Sequence, residues 1–180
     1  PGEVKTAIFY MNDAHGAKIE RYKSAADTFT KAFQSDPTVD CFKFSAGDIN
    51  IGGDEKKNTM LVESLNLIGI DTSTIGNHEM DIGTEALSQI LKRAKIKFVL
   101  ANVNMSDKCE LLPRVKDQKI VKSHIINKNG HNYGIIGAIA PDFVERVTYK
   151  HLIHGITADN FDNTIKNIQK EVDDLKKKGI

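Results

Sequence analysis

Thr74-Ile75-Gly76-Asn77-His78-Glu79-Met80-Asp81 follows an apolar run and precedes a helical pattern, so it lies where a strand hands over to a helix. Gly76 gives the backbone freedom to turn sharply at that point. Asn77 then offers a carbonyl oxygen, His78 an imidazole, and Asp81 a carboxylate three residues on. Open α/β sheets carry their sites at the carboxyl ends of strands, which is where this set falls. Taken alone it is also an ordinary turn composition. What decides between the two is whether other strand ends carry matching chemistry.

Toward the N-terminus, two more do. Residues 4–10 form a short apolar run that ends in Met11-Asn12-Asp13-Ala14-His15-Gly16, and residues 39–44 form another that runs into Ser45-Ala46-Gly47-Asp48. Between them Tyr22, Ala25, Ala26, Phe29, Ala32 and Phe33 recur at helical spacing over 22–33, and Pro37 closes that helix. A second helix buries Met60, Leu61, Leu65 and Ile68 and stops at Gly69, ahead of a third strand over 71–75. Thr84 reads as the N-cap of a helix reaching about Ala94, and 98–101 as a fourth strand ending in Asn102-Val103-Asn104. Strands alternating with helices predict a mainly parallel sheet in an α/β layering.

Beyond Asn104 the pattern changes. Runs rich in β-formers over 120–127 and 131–139 flank Asn129-Gly130, a strong hairpin signal. Residues 160–178 predict an amphipathic helix with Phe161, Ile165, Ile168, Val172 and Leu175 in one apolar stripe and Gly179 as its cap. Lys176-Lys177-Lys178 complements the dipole at that helix end.

The totals suit a single domain: 180 residues, 40% hydrophobic and 27% charged, an ordinary soluble composition. A net charge of +1 provides no long-range field toward a nucleic-acid polymer or an anionic membrane. No apolar stretch is long enough to span a bilayer. Two cysteines make neither a disulfide framework nor a thiolate zinc site; Cys41, in an apolar run, reads as a small core residue, and Cys109 lies in a polar loop. The chain begins at Pro1-Gly2, so the lack of a leader does not bear on its compartment.

In a parallel sheet the three strand tips share one edge, which predicts that Asp13, His15, Asp48 and Asn77 converge. Alternation in an extended segment puts Asp13 and His15 on one side, where they can share an ion. Carboxylates, an imidazole and an amide oxygen suit manganese, zinc, iron or cobalt better than an all-oxygen calcium cage. Asp48, on the middle tip, can bridge two ions about 4 Å apart, the spacing used in two-metal hydrolysis. His151 and His154 sit beside Gly155 and Thr157 and read as loop residues; His124 and His131 read as exposed strand residues. A dinucleotide-binding oxidoreductase is set aside, because no Gly-x-Gly-x-x-Gly follows the first strand.

Asn12-Asp13-Ala14-His15-Gly16, Ala46-Gly47-Asp48, Gly76-Asn77-His78-Glu79-Met80-Asp81-Ile82-Gly83, Ala101-Asn102-Val103 and Gly134-Ile135-Ile136-Gly137 together resemble the calcineurin-like metallophosphoesterases. Within them, the closest likeness is to the branch of 5′-nucleotidases, UDP-sugar hydrolases and 2′,3′-cyclic-nucleotide phosphodiesterases. The resemblance implies an α/β/β/α sandwich and hydrolysis of small phosphate esters, nucleotides above all. It implies two divalent ions (Mn, Zn, Fe, Co or Mg), with Asp13 and His15 on the first, Asp48 bridging and Asn77 on the second. His78 would stand beside the scissile phosphate, oriented by Asp81, to stabilise the transition state or protonate the leaving oxygen. An imidazole titrating near 6.5 suits that role. Asn102 would act on the substrate side or behind the ligands.

The resemblance also implies that residues 1–180 are the N-terminal portion of one catalytic domain. The family's later histidines and its C-terminal recognition domain find no match here. On that expectation the chain supplies three ligands for one metal and two for the other, and alone binds metal weakly and hydrolyses little. A secreted, periplasmic or cell-surface setting goes with the family. The alternative is an inactive interaction module that kept the scaffold.

Overall fold

In the computed structural model of the chain, which describes residues 4–180, β1 (Lys5–Met11), α1 (Ile19–Phe33), β2 (Val39–Ser45), α2 (Glu55–Ile68) and β3 (Thr72–Ser73) follow the predicted alternation. A 3₁₀ turn over His78–Ile82 leads into α3 (Gly83–Ile90), β4 (Lys97–Val99), β5 (Val103–Met105) and α4 (Leu112–Lys116). Next come β6 (Ile120–Val121), β7 (Ser123–Lys128), β8 (His131–Ile136), α5 (Phe143–Arg146), β9 (Ile156–Ala158) and α6 (Phe161–Lys177). Strands β1, β2, β3, β4 and β6 pair in that order as one parallel sheet.

Side-chain alternation sorts the two faces of this sheet. Phe9 points to α1, where it meets Phe29 with ring centroids 6.0 Å apart. Phe42 takes the opposite face and meets Tyr133 of β8 edge-on at 4.7 Å. On the helix side Ala26, Leu61, Val62, Leu65, Ile75, Met80 and Leu87 form the core. On the other side lies the β7–β8 hairpin, turning at Asn129-Gly130 as predicted. Behind it α6 sets Leu175 against Gly134. The layers therefore run helices, parallel sheet, hairpin, helix.

Local chemistry explains the element ends. The Asp54 side chain accepts the Lys57 N–H at the start of α2, and left-handed Gly69 ends it. The Asn160 side chain accepts the Asn163 N–H at the start of α6.

Several expectations need correction. The predicted 120–127 strand is two strands: β6 completes the parallel sheet, and the chain then breaks at Lys122 to enter the hairpin. Thr84 is no N-cap; α3 follows directly on the 3₁₀ turn, and the buried Thr84 hydroxyl donates to Glu110 at 2.6 Å. The α6 stripe is buried only at its C-terminal end, Phe161 and Ile165 being 70% and 52% exposed. The reason is reach: the contacts to the hairpin, Leu175 on Gly134 and Ser123 to Glu171, all lie toward that end. Cys41 is half-buried, whereas Cys109 is in the core, where burial raises its thiol pKa. His131 is exposed as expected, and so is the loop residue His154, though each has a carboxylate partner, whereas His124 is half-buried in β7 and not exposed.

The hairpin tip is held by Asp40, which is 1% exposed and accepts from Asn129 (2.7 Å), His131 (2.8 Å) and Tyr133. The Tyr133 hydroxyl, against the opposing effect of burial, holds the Asp40 carboxyl below the ordinary aspartate range, with His131 and Asn129 adding to it. Because the folded value is depressed, this contribution is full above the unfolded value of about 3.9 and is lost as pH falls through the folded one. Asp40→Ala is expected to lower the thermal midpoint by about 5 °C at neutral pH. It should also speed amide exchange at Asn129 and Gly130, and an unchanged midpoint would show that the latch carries nothing.

Candidate metal centre

Beyond the sheet the first three strand tips stay laced together. Asp13 N–H donates to Gly47 O (3.3 Å), His15 N–H to Asp48 O (3.0 Å), Gly16 N–H to Ile49 O (2.7 Å) and Thr74 N–H to Ser45 O (3.0 Å). Asp13, His15 and Asp48 all take left-handed backbone, with φ of 49°, 47° and 52°. Each such residue costs about 1–2 kcal/mol, and strain of this kind collects where a site is held by its surroundings. Asp13 and His15 are thus not in an extended segment, as alternation predicts. They meet through two left-handed turns, with His15 Nε2 3.7 Å from Asp13 Oδ1.

The second and third tips touch backbone to backbone. A Cβ on Gly47 would lie 2.6 Å from Gly76 N, and one on Gly76 would lie 2.1 Å from Asp48 Oδ1. Gly47, at φ 88°, is left-handed, and Gly76 is not. Gly76 is therefore a glycine for close approach, not for the sharp turn read from the sequence.

This contact seats the Asp48 carboxylate on the third tip, where Oδ1 accepts the His78 N–H at 2.9 Å. His15, Asp48 and His78 each offer a ligand atom, all within 4.8 Å of one another. The His15 and His78 rings meet edge-on, their centroids 4.7 Å apart. His15 Nε2 is buried and has no hydrogen-bond partner among the described residues. A buried polar atom left unpaired costs about 1–3 kcal/mol. A cation would answer it, so the donor set fits a divalent metal ion.

Asn77 opens the 3₁₀ turn beside His78, and its side-chain Nδ2 donates to Arg146 O at 3.4 Å. His78 Nδ1 lies 2.7 Å from Asp81 Oδ2. Asp81 is fully buried and also accepts the N–H groups of Gly52 (2.8 Å) and Thr148 (2.7 Å). Burial alone would raise its pKa; the bonds from His78, Thr148 and Gly52 outweigh it and hold the carboxyl below the usual aspartate value. Asp81 is then acceptor only, which places a proton on His78 Nδ1 and leaves Nε2 free.

Asn102 bonds to neighbouring segments of the chain. It is fully buried, donates to Ile139 O (2.8 Å) and Thr164 Oγ1 (3.0 Å), and accepts the Ile139 N–H (2.9 Å). That ties the end of β4 to the segment after β8 and to α6. Sequence reasoning missed the Gly52 and Thr148 amides on Asp81, because a backbone donor leaves no trace in residue type. It also left Glu79 without a role.

No protein-family model matches the chain. The fold is shared with a 5′-nucleotidase precursor from Thermus thermophilus, at a TM-score of 0.77 and 21% identity over 96% of this chain and 35% of that one. It is shared too with a calcineurin-like phosphoesterase from Bacillus subtilis, at a TM-score of 0.64 and 17% identity over 96% of this chain and 58% of that one. These likenesses show a shared fold. In sequence, an apyrase from Anopheles gambiae is 30% identical over 113 residues, 61% of this chain and 18% of the apyrase. Relatives of this chain include a 5′-nucleotidase, apyrases, a 2′,3′-cyclic-nucleotide phosphodiesterase and an endonuclease. The chain spans about a fifth of the length of the curated relatives it matches.

Proposed function

We propose that the chain contributes to metal-dependent hydrolysis of phosphate esters, with nucleotides as the substrate class. The observation that carries this is the buried His15 Nε2, without a hydrogen-bond partner among the described residues, in a cluster with Asp48 and His78. Asp13, His15 and Asp48 would hold one ion, and Asp48 with Asn77 a second. Bound divalent ions supply positive charge for an anionic ester and lower the pKa of water to about 7.

The chain's own residues do the rest. Asp81 holds the Nδ1–H of His78. Proton donation to a leaving oxygen would then come from Nε2 of the doubly protonated ring, the imidazolium that the Asp81 carboxylate stabilises, and would leave the neutral Nδ1–H tautomer behind. The bond from His78 N–H to Asp48 Oδ1 couples that imidazole to the ligand loop, so the proton donor and the ligand keep one spacing. The nucleotide substrates named in the relatives' descriptions support the substrate class. No helix among the described residues is long and apolar enough to cross a membrane. A secreted or periplasmic setting is proposed on the family likeness.

Manganese titration followed by the resonance of free Mn²⁺ tests the assignment. His15→Ala is expected to weaken uptake about tenfold or more. His78→Asn is expected to leave uptake close to wild type while lowering about a hundredfold the nucleoside monophosphate hydrolysis of a version extended through the family's later segments. If His78→Asn costs as much uptake as His15→Ala, His78 is a ligand and not the proton donor. A wild type that takes up no Mn²⁺ would remove the proposal.

A further inference from the structure

Glu79 is 1% exposed and takes no part in the steps above. Its Oε2 accepts the N–H groups of Gly76 (2.6 Å) and Asp48 (2.8 Å), and its Oε1 those of Ile49 (2.8 Å) and Asn50 (3.1 Å). Two donors on each oxygen fill the acceptor capacity of a carboxylate. Three of the four are consecutive amides of the loop after β2, turned inward around the left-handed Asp48, the arrangement of a backbone anion nest. The fourth belongs to the tip of β3. Burial raises the carboxyl above the ordinary glutamate value, and the amides of Asn50, Gly76 and Asp48 offset that only in part.

These bonds cross the place where the two tips meet, Gly47 against Gly76. Without them, four backbone N–H groups in a water-poor contact would lose their acceptor, and Asp48 would lose what keeps it in left-handed backbone. We infer that Glu79 is the positioning residue of the centre: its carboxylate binds the Asp48 loop to the Gly76 tip and so sets the Asp48 side chain against the His78 amide before any metal arrives. The consequence for affinity rests on the proposed metal role of Asp48; the consequence for the backbone rests on the geometry alone.

The test compares wild type with Glu79→Gln, which keeps the shape but turns an N–H₂ group toward backbone donors. Two readouts are taken: amide hydrogen exchange without metal, and Co²⁺ titration by visible absorption. Exchange at Asp48, Ile49, Asn50 and Gly76 is expected to rise about tenfold, while the core amides of Leu65 and Leu87 hold their rates. Co²⁺ affinity is expected to fall about tenfold. A Glu79 that only filled space would move neither readout, and wild-type rates at all four amides would overturn the inference. Should Glu79→Gln fail to fold, Glu79→Asp keeps the charge on a shorter arm. It is expected to release the amides of at least one tip, and full protection of both would again overturn it. A wild type that binds no Co²⁺ refutes the metal centre, and the amide rates then decide Glu79 separately.

Discussion

Asp48→Asn is expected to weaken Mn²⁺ binding about a hundredfold, equivalent to about 2.7 kcal/mol. The substitution is nearly isosteric, and the amide oxygen can still accept the His78 N–H that Oδ1 now takes at 2.9 Å. What is lost is one negative charge and the second carboxylate oxygen, the part a bridging ligand needs. The fold should therefore survive, with a thermal midpoint near wild type, while uptake measured by calorimetric titration collapses. Affinity within about threefold of wild type would show that Asp48 serves the loop and not an ion.

Gly47→Ala is expected to destabilise the chain by about 3 kcal/mol and to remove metal uptake with it. Two independent costs combine. At φ 88° a Cβ is strained whatever the space, and here it would also lie 2.6 Å from Gly76 N, a backbone atom that cannot turn aside. Gly130→Ala separates the two, because Gly130 has φ 86° but nothing within 4 Å of its added Cβ. That control should cost only about 1 kcal/mol, for backbone strain alone. Equal losses in the two variants, measured by chemical denaturation, would mean that the close approach of the tips carries no energy.

Much of the fold is legible along the chain because it depends on near neighbours. The helical spacing of Tyr22 to Phe33, the stop at Gly69 and the Asn129-Gly130 turn all express local preferences, and the corresponding elements are present. Pairings between distant short segments are not legible. The antiparallel β5–β9 pair joins Val103 to Ala158, each strand only three residues long, and no periodicity marks either. Thr84 shows the same limit from the other side: a residue suited to a cap is drawn into the core by Glu110 and His154, both remote in sequence.

By itself, the order of residues determined which donors this protein owns and that they stand at successive strand ends, since both follow from residue type and local pattern. Tertiary structure alone decided how they meet. The left-handed turns at Asp13, His15 and Asp48, the contact of Gly47 with Gly76, and the four amides on Glu79 arise only once separate strands lie side by side. The physical reason is that an amide donor or a close backbone approach belongs to a pair of segments. Neither segment's own residues record it.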